Sequence, residues 1–210
     1  MPLKYSCFIS YRHTETRLNQ SMVRRMVEAL KAELELRVPK KVFLDRERLL
    51  GGEFYNENLA TELCQSACMV ILYWPTYFST ENTFCSREYQ SMVRLESERL
   101  ARLPDPLERQ KGLILTLAIR DFKQVPAELQ GRRNIYNFEG HSMRPNTASF
   151  FNDVKNIGGY IAERCRILDA TPDSCRKCDE WRLPEEAAIL PWIHQALHPA
   201  IPYPTREAGR

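Results

Sequence analysis

The chain has 210 residues, 43% hydrophobic and 27% charged, with 30 Lys+Arg against 27 Asp+Glu and a formal net charge of +3. That composition excludes a disordered tail, a collagen-like fibre and a disulfide-stapled mini-protein, and a chain this long buries roughly 70% of the surface its unfolded form exposes. The charge is too mild and too evenly spread to indicate nucleic acid or an anionic membrane surface, so neither partner is expected.

The opening MPLKYSCFISYRH reaches Arg12 and His13 too soon to hold a signal-peptide apolar region. Residues 5–11 (YSCFISY) are a short apolar run that fits a buried strand. The period then changes. Leu18, Met22, Met26, Leu30 and Leu34 recur every fourth residue, which predicts an amphipathic helix over 17–37 that ends before Pro39. A second short strand is expected at 42–44, then a charged loop over 45–53 with the breaker pair Gly51-Gly52, then a helix over 54–66. Residues 69–74 (MVILYW) are continuously apolar, as a central parallel strand covered on both faces should be. The longest uncharged stretch, 63–80, carries Gln65, Ser66, Pro75, Thr76, Ser79 and Thr80, so it is core and not a membrane span.

A further helix is expected over 84–103, a fourth strand over 113–119, a fifth over 135–138 and a closing helix over 152–168. Strands alternating with helices of this length indicate an α/β fold: a three-layer unit with a parallel sheet and right-handed connections. Ligands bind outside the carboxyl ends of the strands in such sheets, so the loops after Tyr11, Leu44 and Trp74 are the places to look. Residues 1–168 form this unit, and 169–210 form a Pro-rich C-terminal extension of different composition.

The seven cysteines are odd in number. Cys7, Cys64, Cys68, Cys85 and Cys165 sit in apolar segments and read as reduced packing thiols of a cytoplasmic protein. The extension holds Cys175-x-x-Cys178 and, further on, His194-x-x-x-His198, the residue types and spacing of a structural tetrahedral zinc site. Against zinc, Pro191 and Pro199 bracket a helix barely long enough for both histidines. The competing reading is two reduced thiols and two surface imidazoles on a docked arm, with Trp181, Leu183, Ile189, Leu190, Trp192 and Ile193 supplying its apolar surface.

The loops at the strand ends carry Phe8-Ile9-Ser10-Tyr11, then Asp45, Leu49 and Gly52 followed by Phe54 and Leu59, then Tyr77, Ser79 and Phe84-Cys85-Ser86-Arg87-Glu88. In these segments, in order and over about residues 5–168, the chain resembles a Toll/interleukin-1 receptor (TIR) domain of the stand-alone bacterial kind. The resemblance implies the flavodoxin-like TIR fold with a five-stranded parallel sheet. It also implies that Glu88 is catalytic, because enzymes of the family cleave NAD with the glutamate of this segment. Phe84 stands where the family usually has Trp, which keeps an aromatic wall and loses an indole donor.

The chemistry is plausible on physical grounds. Breaking the bond between ribose C1′ and nicotinamide passes through an oxocarbenium-like state, and nicotinamide departs as a neutral ring from a cationic one. No acid is then required, and one carboxylate that stabilises the ribosyl cation suffices. A solvated glutamate at a helix start is the competing reading. Arg12 is either a phosphate or ribose contact or a surface arginine. Tyr11 and Phe84 are counted with it as substrate-binding. Asp45, Arg46, Leu49 and Gly52 form a loop that closes the pocket or meets a neighbouring subunit. Trp74, Tyr77 and Phe84 are candidates to present aromatic faces to adenine or nicotinamide, and of these at least Trp74, last in its apolar strand, is expected to be packing.

The expected activity is therefore that of an NAD nucleosidase, yielding ADP-ribose or a cyclic ADP-ribose isomer, with NAD as substrate and no cofactor required. Self-association through TIR–TIR contacts, a downstream effector that senses the product, and a role in antiphage defence are further implications of the resemblance. The alternatives are a non-catalytic TIR interaction module and a deoxyribosyltransferase-like enzyme. A response-regulator receiver is disfavoured, since the first strand lacks an acidic cluster.

Overall fold

The computed structural model describes residues 3–12, 17–44, 53–130, 134–143, 147–172 and 177–197. Five strands, β1 (Tyr5–Tyr11), β2 (Lys41–Leu44), β3 (Ser66–Tyr73), β4 (Ile114–Ala118) and β5 (Asn134–Asn137), form an all-parallel sheet in the order β2-β1-β3-β4-β5. That order is the flavodoxin-like one. All eight residues of β3 are buried, while the edge strands β2 and β5 are only half-buried. This is why MVILYW is apolar without alternation: a central strand is covered on both faces.

The helices between the strands are α1 (Arg17–Glu35), α2 (Glu53–Cys64), α3 (Phe84–Arg102), α4 (Pro106–Arg109), α5 (Ala127–Gln130), α6 (Glu139–Met143) and α7 (Ala148–Asp169), with α8 (Glu186–Leu197) in the extension. α1 packs on α7, which lies against β1 and β3; α2 packs on α3, and both meet the sheet. Right-handed crossovers place these two pairs on opposite faces. The four-residue period of α1 buries Met26, Leu30 and Leu34 completely, each contributing about 1.5–3 kcal/mol of transfer free energy. Gly158 lets α7 approach α1, because a Cβ there would meet Cγ of Glu33 at 2.5 Å.

The predicted elements are all present, with ends moved by a few residues. α7 begins four residues earlier than expected, at Ala148, because Thr147 caps it by accepting from the Phe150 amide. The single-turn helices α4, α5 and α6 are not anticipated in the sequence, being too short to show a period. α8 runs through Pro191 instead of starting at it, and the missing Pro191 amide leaves the Ala187 carbonyl without its usual donor.

Two cysteine expectations need correction. Cys64, read as a packing thiol, is joined to Cys178 in a disulfide with a Cα–Cα distance of 5.4 Å. The bond closes because the extension folds back along α2, where Thr61 Oγ1 also donates to the Cys178 carbonyl at 3.2 Å. Cys178 therefore has no thiolate to offer zinc. Cys175 and His198 lie outside the described residues, and His194 is exposed on α8. No group of three or more His, Cys, Asp or Glu that can hold a metal occurs among the described residues. The extension does dock as an arm, but not with the two reduced thiols of the competing reading, since Cys178 is oxidised. Trp181 Nε1 donates to Ser91 Oγ at 2.7 Å, and Trp192 packs edge-on against Phe78 at 5.0 Å.

Candidate functional site

The strand order reverses between β1 and β3, and the crevice outside the carboxyl ends of those two strands is where this fold binds ligands. Ser10 is the penultimate residue of β1, in register with Ile71 of β3. Pro75 follows β3, and Tyr77 closes the turn behind it by donating its backbone amide to the Trp74 carbonyl at 2.8 Å. Glu88 lies in the second turn of α3, which starts at Phe84.

These three side chains meet. Ser10 Oγ donates to Glu88 Oε2 at 2.5 Å and lies 2.7 Å from the Tyr77 hydroxyl. Each of the three residues is fully buried. A carboxylate only accepts, and a serine hydroxyl has one proton. With that proton directed to Glu88, Ser10 must accept from Tyr77, so the donors run from Tyr77 to Ser10 to Glu88. The tyrosine is itself fixed, its ring 6.3 Å from that of Tyr73 and 5.0 Å from that of Phe78.

The other buried charged groups of α3 have a different use. Glu96 accepts from the Leu113 amide at 2.6 Å where the chain enters β4. Arg99 donates to the carbonyls of Ser66 and Cys64, capping the end of α2 where peptide carbonyls lack helical partners. Glu96 and Arg99 therefore tie backbone together near the amino ends of the strands. Glu88 is the acidic member of the series at the carboxyl ends.

Of the expected substrate contacts, Arg12 and Phe84 share this end. Arg12 Nη1 donates to the Thr76 carbonyl at 2.8 Å and its guanidinium lies 4.0 Å from Glu81, so it bridges β1 to the loop after β3. Phe84 precedes Glu88 by one helical turn and therefore shares its face of α3. The ring is half-buried and carries the Arg87 guanidinium 5.6 Å from its centroid. Tyr11 is the half-buried last residue of β1, and strand alternation turns it to the opposite face from Ser10. Asp45, Arg46, Leu49 and Gly52 lie outside the described residues. Trp74 is buried, as a packing residue should be.

The extension reaches this site from behind. Arg87, the neighbour of Glu88, donates Nε to the Pro184 carbonyl at 2.6 Å, and its burial lowers its pKa. Trp192 lies 5.6 Å from Tyr89, the residue on the other side of Glu88. Sequence reasoning leaves Ser10 without a role and gives Tyr77 one only as an aromatic face, not as a hydroxyl. Their only signal is position, each at or just beyond the end of a central strand. A hydroxyl–hydroxyl–carboxylate series of this kind can hold a carboxylate in a fixed orientation and set it against a developing positive charge. No family model matches the chain, and no curated protein matches it.

Proposed function

We propose that the protein is a TIR-type NAD nucleosidase with Glu88 as its catalytic carboxylate. The observation that supports this most is the placement of that buried acid at the switch point between β1 and β3, oriented by Ser10. In the reaction the C1′–N bond to nicotinamide breaks, and its electron pair goes to the pyridinium ring, which leaves neutral. Glu88 stabilises the ribosyl cation left at C1′. Water captures the cation and loses a proton to give ADP-ribose, or a nucleophile within the same molecule captures it and loses a proton to give a cyclic isomer. Arg12 and Phe84 stand at the same mouth, suited to a phosphate or ribose oxygen and to an aromatic ring.

Glu88 is closed off from solvent, so a substrate reaches it only after the surrounding loops open. Opening on self-association accords with the behaviour the TIR resemblance implies, as does a downstream effector that senses the product in antiphage defence. A cytoplasmic location belongs to the same reading, although the Cys64–Cys178 disulfide removes the support that reduced cysteines would have lent it. No described helix is long and apolar enough to cross a membrane.

The test is incubation of concentrated protein with NAD and analysis of products by chromatography and mass spectrometry. Nicotinamide should appear together with ADP-ribose or a cyclic isomer. Glu88→Ala should lower the rate by about 100- to 1,000-fold, the scale for losing one preorganised electrostatic group. Wild type and variant equally inert across assembly conditions would sink the enzyme reading. The same burial that closes Glu88 favours the second reading, a non-catalytic interaction module whose glutamate only holds α3 to β1.

A further inference from the structure

We infer that Ser10 and Tyr77 are positioning residues for the reaction, acting on it only by way of the Glu88 carboxylate. This rests on the nucleosidase reading above. Neither hydroxyl is free to do anything else with its proton: Ser10 gives its proton to Glu88, and Tyr77 gives its proton to Ser10. The order couples the two contributions: Tyr77 polarises and aims the Ser10 hydroxyl that Glu88 accepts, since hydrogen bonds in a chain strengthen one another.

The framework around the series is rigid, as a preorganised group requires. Ser10 is held by the β1–β3 ladder. Tyr77 is pinned by its backbone bond to Trp74 and by the rings of Tyr73 and Phe78. Phe78 is wedged in turn by Tyr89 at 5.4 Å and by Trp192 of the extension at 5.0 Å. The carboxylate is thus oriented from two strand ends at once, and a tilt of its plane would misplace it against C1′. Misplacement on the scale of an ångström costs about 100-fold in rate.

Steady-state kinetics on NAD with Ser10→Ala, Tyr77→Phe, the double variant and Ser10→Thr test the inference. Ser10→Ala should lower kcat by about 10- to 100-fold while KM for NAD stays within about threefold, because orientation is lost and ground-state binding is not. Tyr77→Phe keeps the ring packing and should show a smaller loss in the same direction. The double variant should lose less than the product of the two single losses, since Tyr77 bonds the same Ser10 hydroxyl that Glu88 accepts. Ser10→Thr keeps the hydroxyl at a strand position that tolerates β-branching and should retain most of the wild-type kcat. If Ser10→Ala does not fold, Ser10→Thr and Tyr77→Phe carry the comparison. Losses that multiply in the double variant, an effect confined to KM, or single variants as active as wild type would each overturn the positioning role and leave the nucleosidase reading standing. A wild type that leaves NAD intact overturns both.

Discussion

Cys7, Cys68 and Cys165 lie inside the core, where withdrawal from water disfavours the charged thiolate; burial pushes the Cys165 thiol up to about 12 and those of Cys7 and Cys68 well above the usual range. The thiolate is the nucleophile, so these groups are chemically silent while the fold is intact. Iodoacetamide at pH 8 should therefore leave Cys7, Cys68, Cys85 and Cys165 unmodified in the native protein and label them once it is unfolded, as peptide mass spectrometry would report. Labelling of any of the four at the rate of a free thiol in the native state would contradict the packing. Single residues also mark how far the sequence can be read. Glu88 stands out because its motif is local. Its contact with Ser10 does not, because Ser10 is 78 positions away, and the contact that brings in the Tyr77 hydroxyl spans 67 positions back to Ser10. Cys178 was open to misreading for the same reason: its C-x-x-C spacing is local and suggests zinc, whereas its actual partner, Cys64, is 114 residues distant.

At the scale of elements, α4 is a single turn with no buried residue, and isolated turns of this length do not persist in water. It is held at its start by Asp105, which accepts from the Leu107 amide at 2.8 Å, and at its end by Glu108, which pairs with the Arg164 guanidinium of α7. The Glu108 carboxyl is lowered, chiefly by the hydrogen bond from Arg164 and then by that from Lys111. A carboxyl lowered by folding contributes stability above its unfolded value, near 4.3, and loses it as pH falls through the folded value. Arg164 is 1% exposed and Glu108 20%, so Glu108→Gln leaves a buried cation without its charge partner beside a side chain still partly in water. The expected loss is about 1–3 kcal/mol at pH 7, shrinking towards pH 3, read from denaturant melts at the two pH values. Long elements were legible because burial imposes a period on them. α4, α5 and α6 were not, since each is shaped by partners elsewhere in the chain and none is long enough to repeat.

For the molecule as a whole, the extension is a strap across α2 and α3, fixed at Cys178 by the disulfide and along α8 by Ile189, Ile193 and Ala196, which are buried together. Apolar content in residues 181–193 announced docking, but the sequence carries no mark of which helices receive it. Replacing Cys178 by Ser, or treating the protein with a dithiol, should lower its stability by about 2–5 kcal/mol and shift tryptophan emission to the red as Trp181 and Trp192 loosen. Unchanged melting, or free thiols at both cysteines under non-reducing conditions, would remove the strap from the account. The same bond gives the chain a mechanical asymmetry. It closes a covalent ring whose ends are 114 positions apart, and β3, β4, β5, α3 and α7 all lie within it. Tension applied along the chain from either side crosses at the sulfur bridge and bypasses those elements. The load falls on the elements outside the ring, α8 on one side and β1, α1, β2 and α2 on the other, and so in part on the ladder between β1 and β3 where Ser10 sits. The seam that orients the acid is thus also one that carries load under force.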